Sequence, residues 1–128
     1  MNALRDSARE SIGHVLFVTD RLFMACLIGA SLEESGLELT TVSDARTAVE
    51  IAQGSHLDLC LLDYAVPANN AKVLAQQLGA LRPRMQLIGL GNNRCDAPVD
   101  LLLEAPFTAT DVIQVVLASL GKTPGIPH

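Results

Sequence analysis

The sequence predicts a single α/β domain in which helices cover both faces of a parallel sheet. Five short apolar segments are mostly continuous and not alternating, which is typical of strands that are buried on both faces. Helical patterns lie between most of these segments, so we expect parallel pairing through right-handed crossovers. The length of 128 residues fits one domain with one core.

The order of the elements follows from these patterns and from the residues at their ends. Gly36 is placed to end the first helix, Asp44 to cap the second, and Thr108 with Asp111 resembles a capping box. We predict strands at 14–19, 37–42, 57–62, 86–90 and 100–103, and helices at 21–35, 44–53, 71–81 and 108–120.

One connection is too short for the regular pattern. Only nine residues, 91–99, separate the fourth and fifth strands, whereas a parallel crossover usually takes a dozen or more. We therefore expect the fourth crossover helix to be short or missing. The expected organisation is an N-terminal extension over 1–13, the domain over 14–120, and a C-terminal tail or linker over 121–128.

Composition excludes several classes of protein. Hydrophobic residues make up 49% of the chain and its mean hydropathy is +0.32, which excludes a disordered chain. The net charge is −5, and the nine Lys and Arg residues form no basic run, so we expect no direct contact with nucleic acid. The longest apolar run is too short to span a bilayer and no secretory signal precedes it, so we expect a cytoplasmic protein without membrane contact.

The three cysteines, Cys26, Cys60 and Cys95, have no metal-type spacing and are odd in number. We interpret them as reduced packing residues, with Cys95 as the one candidate for redox sensing.

Two carboxylates mark the expected site. Asp20 follows the first strand and Asp63 the third, and ligands of open parallel sheets gather at the carboxyl ends of the strands. If these strands are neighbours, the two acids converge and offer oxygen ligands to a divalent cation such as Mg²⁺. A carboxylate beside such an ion can also attack a phosphoryl group.

The residues around these acids resemble the receiver domain of two-component response regulators. The resemblance rests on Asp20 after the first strand, on "LLDYAVP" at 61–67 and on "APF" at 105–107, and it covers about residues 14–120. It implies a flavodoxin-like (βα)5 fold with strand order 2-1-3-4-5 and Asp63 in the phosphoacceptor position. It also implies Mg²⁺ ligation by Asp20, Asp63 and the backbone carbonyl of Ala65.

Three positions depart from the pattern of that family. Thr19 stands where the first strand usually ends in a second acid, Gly91 where a Thr or Ser binds the phosphoryl group, and Ala105 where a Lys precedes the proline. Each loss removes a charge or a charge-assisted hydrogen bond. We therefore expect Mg²⁺ binding to be weak or absent and phosphorylation of Asp63 to be slow or absent.

Arg21 offers a substitute for the missing cation. Its guanidinium can reach Asp20 or Asp63 and lock the site in one state; the alternative is a solvated first-turn residue.

The last predicted helix is apolar over a wide arc, formed by Val112, Ile113, Val115, Val116, Leu117 and Leu120. Because the missing fourth helix would leave part of this surface without a neighbour, we predict a homodimer or partner contact through 101–120.

Three functions remain open. The first is an atypical receiver, without enzymatic activity, that binds a histidine kinase or a downstream regulator independently of phosphorylation. The second is a working receiver that is phosphorylated on Asp63 with Mg²⁺. The third is a small enzyme or ligand-binding domain, which the absence of a glycine-rich phosphate loop after the first strand argues against.

Overall fold

A computed structural model of the chain describes residues 12–65, 71–92 and 97–121. These residues form five strands and four helices in alternating order, except between the last two strands. The strands are β1 (His14–Val18), β2 (Glu38–Val42), β3 (Leu59–Asp63), β4 (Gln86–Gly91) and β5 (Leu101–Glu104). The helices are α1 (Leu22–Glu34), α2 (Ala45–Gly54), α3 (Ala71–Leu81) and α4 (Ala109–Ser119).

The five strands form one parallel sheet in the order β2-β1-β3-β4-β5. This is the order that the resemblance to receiver domains implied, and it is confirmed. β1 and β3 are direct neighbours, with Val18 opposite Leu62, so the residues that follow Val18 lie beside Asp63. The sheet thereby brings the carboxyl ends of these two strands together, as the site prediction required.

Each face of the sheet carries one apolar core. α2 and α3 cover one face, where Leu16, Cys60 and Leu62 are buried, and α1 and α4 cover the other, where Phe17 and Leu61 are buried. β1 and β3 contribute to both cores, because successive side chains of a strand point to opposite faces. Burial on both faces explains why their sequences are continuously apolar.

The helix ends follow the predicted residues. Gly36 has a φ of +94° just after α1, the Asp44 carboxylate accepts the backbone N–H of Thr47 at 2.8 Å, and Thr108 and Asp111 form a reciprocal capping box before α4. These predictions are confirmed. The elements begin and end within two residues of their predicted positions.

The connection between β4 and β5 has no helix among its described residues, 92 and 97–100. Four of its residues, 93–96, lie outside the described part, and Cys95 with its predicted redox role is among them. Residues 1–11 of the predicted extension and 122–128 of the predicted tail also lie outside it. Among the described helices, none is long and apolar enough to cross a membrane.

Candidate functional site

Thr19 and Asp63 form the buried base of the site. Asp63 is the last residue of β3 and Thr19 follows β1, and both are almost completely buried. The Thr19 hydroxyl donates a hydrogen bond of 2.7 Å to Oδ2 of Asp63. Burying a carboxylate costs free energy unless hydrogen bonds or a positive charge compensate for the lost water. The other groups that contact Asp63 therefore matter.

Arg21 supplies the positive charge that faces this carboxylate. Its Nε donates to Oδ2 of Asp63 and its Nη2 to Oδ1, both at 2.8 Å. This is the two-point geometry in which a guanidinium matches a carboxylate most closely. The Arg21 side chain is 45% exposed and the Asp63 side chain is fully buried, so the ion pair closes the site from the solvent side.

Local backbone contacts hold this arrangement in place. The backbone N–H of Arg21 donates to the hydroxyl of Thr19 at 3.1 Å. This hydrogen bond holds the backbone of Arg21 close to the Asp63 carboxylate. The N–H of Ala65 donates to Oδ1 of Asp63 at 2.9 Å. Each oxygen of Asp63 thus accepts two hydrogen bonds, and Thr19 both donates to Asp63 and accepts from Arg21.

These residues do not fit a Mg²⁺ ion of the kind that the resemblance implied. Mg²⁺ needs oxygen ligands with exposed lone pairs, and the Arg21 guanidinium lies against both oxygens of Asp63. Thr19 offers a neutral hydroxyl where an acid would add negative charge. Among the described residues, no group of three His, Cys, Asp or Glu side chains is placed to hold a metal ion.

Asp20 lies apart from this network. It is exposed and has no hydrogen-bond or ion-pair partner in the described part of the chain. It lines an open cleft of about 420 Å³ between the ends of β1 and β2, together with Thr19, Asp44 and Thr47. Asp20 and Asp63 therefore both lie at the carboxyl ends of the strands, but the residues that hydrogen-bond to Asp63 are Thr19, Arg21 and Ala65.

Gly91 and Ala105, the other two positions where a departure from the receiver pattern was predicted, lie side by side at the ends of β4 and β5. The N–H of Ala105 donates to the carbonyl oxygen of Gly91 at 2.8 Å. Gly91 has a φ of +153°, in the region that favours glycine. Neither residue carries a polar side chain toward Asp63.

Tyr64 explains why glycine stands at this position, and the sequence analysis did not identify it. Its side chain lies across β4, so a Cβ atom at Gly91 would be 2.8 Å from the Tyr64 Cβ, and one at Gly89 would overlap the Tyr64 hydroxyl and ring. The two glycines are two residues apart in β4, so they face the same side of the sheet. The spacing Gly-x-Gly in a buried strand was the available signal, because it often marks a close approach.

An apolar patch on α1 was also missed. Leu22 and Phe23 are 77% and 79% exposed, and Leu27 is 48% exposed. The helix buries Ile28, Gly29 and Leu32 instead. We call Leu22, Phe23 and Leu27 the α1 patch; it begins directly beside Arg21.

The apolar arc of α4 is used mainly inside the domain. Val112, Val116 and Leu117 are buried, and Ile113, Val115 and Leu120 pack partly against the same core. Leu101 on the edge strand β5 is 44% exposed. A homodimer through 101–120 stays a prediction.

The described cysteines are free, Cys26 exposed and Cys60 buried. Burial raises the pKa of the Cys60 thiol to about 12, so this residue is a neutral packing group near pH 7.

Comparisons of sequence place the chain near one kind of signalling protein. No family model matches it. It is 25% identical over 115 residues to the autoinducer 1 sensor kinase/phosphatase LuxN of Vibrio campbellii and to that of Vibrio harveyi. The match covers 84% of this chain and 14% of each LuxN protein, so the chain spans about one seventh of the length of these relatives.

Comparisons of structure define the fold. The receiver domain of a sensor histidine kinase from Pseudomonas aeruginosa PAO1, which has magnesium in its active-site cleft, matches with a TM-score of 0.76 and 22% identity, over 86% of this chain and 98% of that one. A CheY-like response regulator receiver domain from Methanospirillum hungatei JF-1 matches with a TM-score of 0.79 and 21% identity, over 87% and 95%. The chain has the fold of these receiver domains, and the predicted flavodoxin-like topology is confirmed.

Proposed function

We propose that this domain is an atypical receiver, a non-enzymatic module of two-component signalling that acts by binding a protein partner independently of phosphorylation. The observation that carries the proposal is the two-point ion pair between Arg21 and Asp63. In this proposal Arg21 takes the place of the divalent cation, and the site holds one charge state permanently.

The chemistry of phosphoryl transfer supports this reading. A carboxylate that attacks phosphorus needs an accessible oxygen lone pair and a cation that neutralises the charge developing on the phosphoryl oxygens. Both oxygens of Asp63 already accept two hydrogen bonds each. Gly91 and Ala105 supply neither the hydroxyl nor the ammonium group that would stabilise the product. Phosphorylation would have to break the ion pair and gain little in return.

The α1 patch supports a role in partner binding. Large exposed apolar side chains such as Phe23 and Leu27, which are four residues apart and so share one face of α1, are typical of protein contact sites. The partner would be a histidine kinase or a downstream regulator, and we place this contact in the cytoplasm. The predicted homodimer through 101–120 would use a different surface.

Beryllofluoride, which mimics a phosphoryl group on a carboxylate, tests the independence from phosphorylation. We expect no Asp63-dependent change in the backbone amide NMR spectrum of the wild-type protein when beryllofluoride and Mg²⁺ are added. Asp63→Ala is the control for non-specific effects. Shifts that occur in the wild-type protein and vanish in Asp63→Ala would overturn the proposal.

Those shifts would support the second candidate, a working receiver. The observation in its favour is Asp20, an exposed acid without a partner in the described residues, beside a cleft of about 420 Å³. A Mg²⁺ titration of Thr19→Asp/Arg21→Ala separates the two candidates. We expect this variant to bind Mg²⁺ at least tenfold more tightly than the wild-type protein, because it gains an acid and loses the competing cation. Equal affinities would mean that Arg21 does not block the site.

A further inference from the structure

A second cleft lies at the amino ends of β3 and β4, the opposite end of the strands from Asp63. It has a volume of about 530 Å³ and is bounded by residues 56–58 before β3 and residues 81–85 before β4. Asp63 is six residues beyond Leu57, which separates this cleft from Asp63 by about 20 Å at the usual rise of a strand. The volume falls within the range of small-molecule sites.

The floor of the cleft is apolar. Leu57 and Met85 form it and are almost fully buried, while Pro83 and the partly exposed Leu81 line its sides. A short hydrocarbon chain would cover mainly the exposed apolar surface of Leu81 and Pro83, because Leu57 and Met85 beneath them are already almost fully out of water.

One wall of the cleft is fixed by Arg82. Its Nε donates to the carbonyl oxygen of Ala52 at 2.8 Å and its Nη2 to that of Ser55 at 2.9 Å, so it ties the residues before β4 to the end of α2. These bonds satisfy carbonyl groups at a helix C-terminus, where a cation is favourable. Arg82 is therefore part of the wall and holds the cleft open in a defined shape.

The charge of the cleft selects an anion. Arg84 is exposed and has no hydrogen-bond or ion-pair partner in the described part of the chain. Among the described residues that line the cleft, Asp58 is the acid, and it is already engaged: Oδ2 accepts the backbone N–H of His14 at 2.8 Å and Oδ1 lies 3.2 Å from Nε2 of His56. Arg84 thus remains as the cation available to a ligand, next to an apolar floor.

We propose that this cleft is a binding site for a small carboxylate with a short apolar chain. The carboxylate binds the guanidinium of Arg84, and the chain lies against Leu81 and Pro83, above the buried Leu57 and Met85. The site is separate from Asp63 and does not depend on the function proposed above.

Hexanoate is the probe, added to the wild-type protein and followed by backbone amide NMR. We expect saturable shifts at concentrations on the order of millimolar, confined to residues 56–58 and 81–85. Hexanamide, which has the same size without the charge, should bind roughly tenfold more weakly. Acetate should bind more weakly than hexanoate, by roughly threefold for each methylene that reaches the floor.

Two arginine variants give the matched comparison. Arg84→Gln should weaken the binding of hexanoate roughly tenfold. Arg46→Gln changes an exposed arginine near the start of α2 that does not line the cleft, so it should leave the affinity for hexanoate unchanged. Equal losses in both variants would reduce the effect to net charge and overturn the proposal. The proposal would also be overturned by shifts centred on the α1 patch, or by the absence of saturable shifts at hexanoate concentrations of about 50 mM.

Discussion

At the scale of single residues, Tyr64 determines what β4 can carry. The resemblance to receiver domains predicts a hydroxyl residue at the position of Gly91, where a Cβ would be 2.8 Å from the Tyr64 Cβ. Real Cβ atoms do not approach other atoms this closely, and the φ of +153° adds strain for any other residue. Tyr64 therefore leaves no room at this position for a side chain that carries a hydroxyl group.

We predict that Gly91→Thr lowers the free energy of unfolding by about 1–3 kcal/mol, because Tyr64 must move and the backbone is strained. Urea denaturation measures this change. Tyr64→Ala/Gly91→Thr should lose less stability than the sum of the two single variants, since the clash is removed. Additive losses would show that Tyr64 does not restrict this position.

The ion pair between Arg21 and Asp63 is unequal, because one partner is fully buried and the other is 45% exposed. Arg21→Ala leaves a buried carboxylate with two remaining hydrogen bonds, to Thr19 and Ala65. We expect a loss of about 1–3 kcal/mol in unfolding free energy, less than for a fully buried pair because water screens the exposed guanidinium.

A double-mutant cycle isolates this interaction. In an Asp63→Ala background, Arg21→Ala should change the unfolding free energy by less than about 0.5 kcal/mol, because the guanidinium then has no buried charge to neutralise. Arg46→Ala, at an exposed surface pair with Glu50, serves as the control and should be close to neutral in both backgrounds. A similar loss from Arg21→Ala in both backgrounds would contradict the pairing.

At the scale of elements, α2 depends on its cap. The hydrogen bond from the backbone N–H of Thr47 lowers the pKa of Asp44 below its ordinary value of 3.8. A carboxyl group with a lowered pKa in the folded state stabilises the protein above its ordinary pKa, and this contribution is lost as the pH falls through the lowered value. The cap therefore stabilises α2 near pH 7 and weakens in strong acid.

We predict that Asp44→Ala is less stable than the wild-type protein at pH 7 and that the difference narrows below pH 3.8, as Asp44 becomes protonated in the wild-type protein. Thermal denaturation over a pH series measures the difference. Asp44→Asn keeps an acceptor without the charge, so it should retain most of the stability of the cap at pH 7. A difference that does not vary with pH would exclude the charge as the cause.

Some features of these elements follow from the local sequence, and others depend on contacts between distant residues. Apolar continuity identified β1 and β3, and polar residues at their ends identified Asp20 and Asp63, because local composition carries both signals. The contact between Tyr64 and Gly89 was not predictable in this way, since it depends on how two strands and a side chain meet in three dimensions. For α1, the apolar sequence does not distinguish Ile28 and Leu32, which are buried in the core, from Leu22, Phe23 and Leu27, which are exposed.

At the scale of the whole molecule, burial is concentrated in the strands that lie under the site. β1 and β3 lie in the middle of the sheet and are almost entirely buried, whereas β2 and β5 form the edges and are partly exposed. Arg21 and Asp63 therefore clamp the ends of the two strands that have the most burial on both faces.

We predict that amide hydrogen exchange is slowest in β1 and β3 and faster in β2 and β5, because edge strands open with fewer lost contacts. Exchange measured by NMR at pH 7 distinguishes the strands. Arg21→Ala should speed exchange near Thr19 and Asp63 while the order of the strands stays the same. Slower exchange in β5 than in β3 would contradict this distribution of stability.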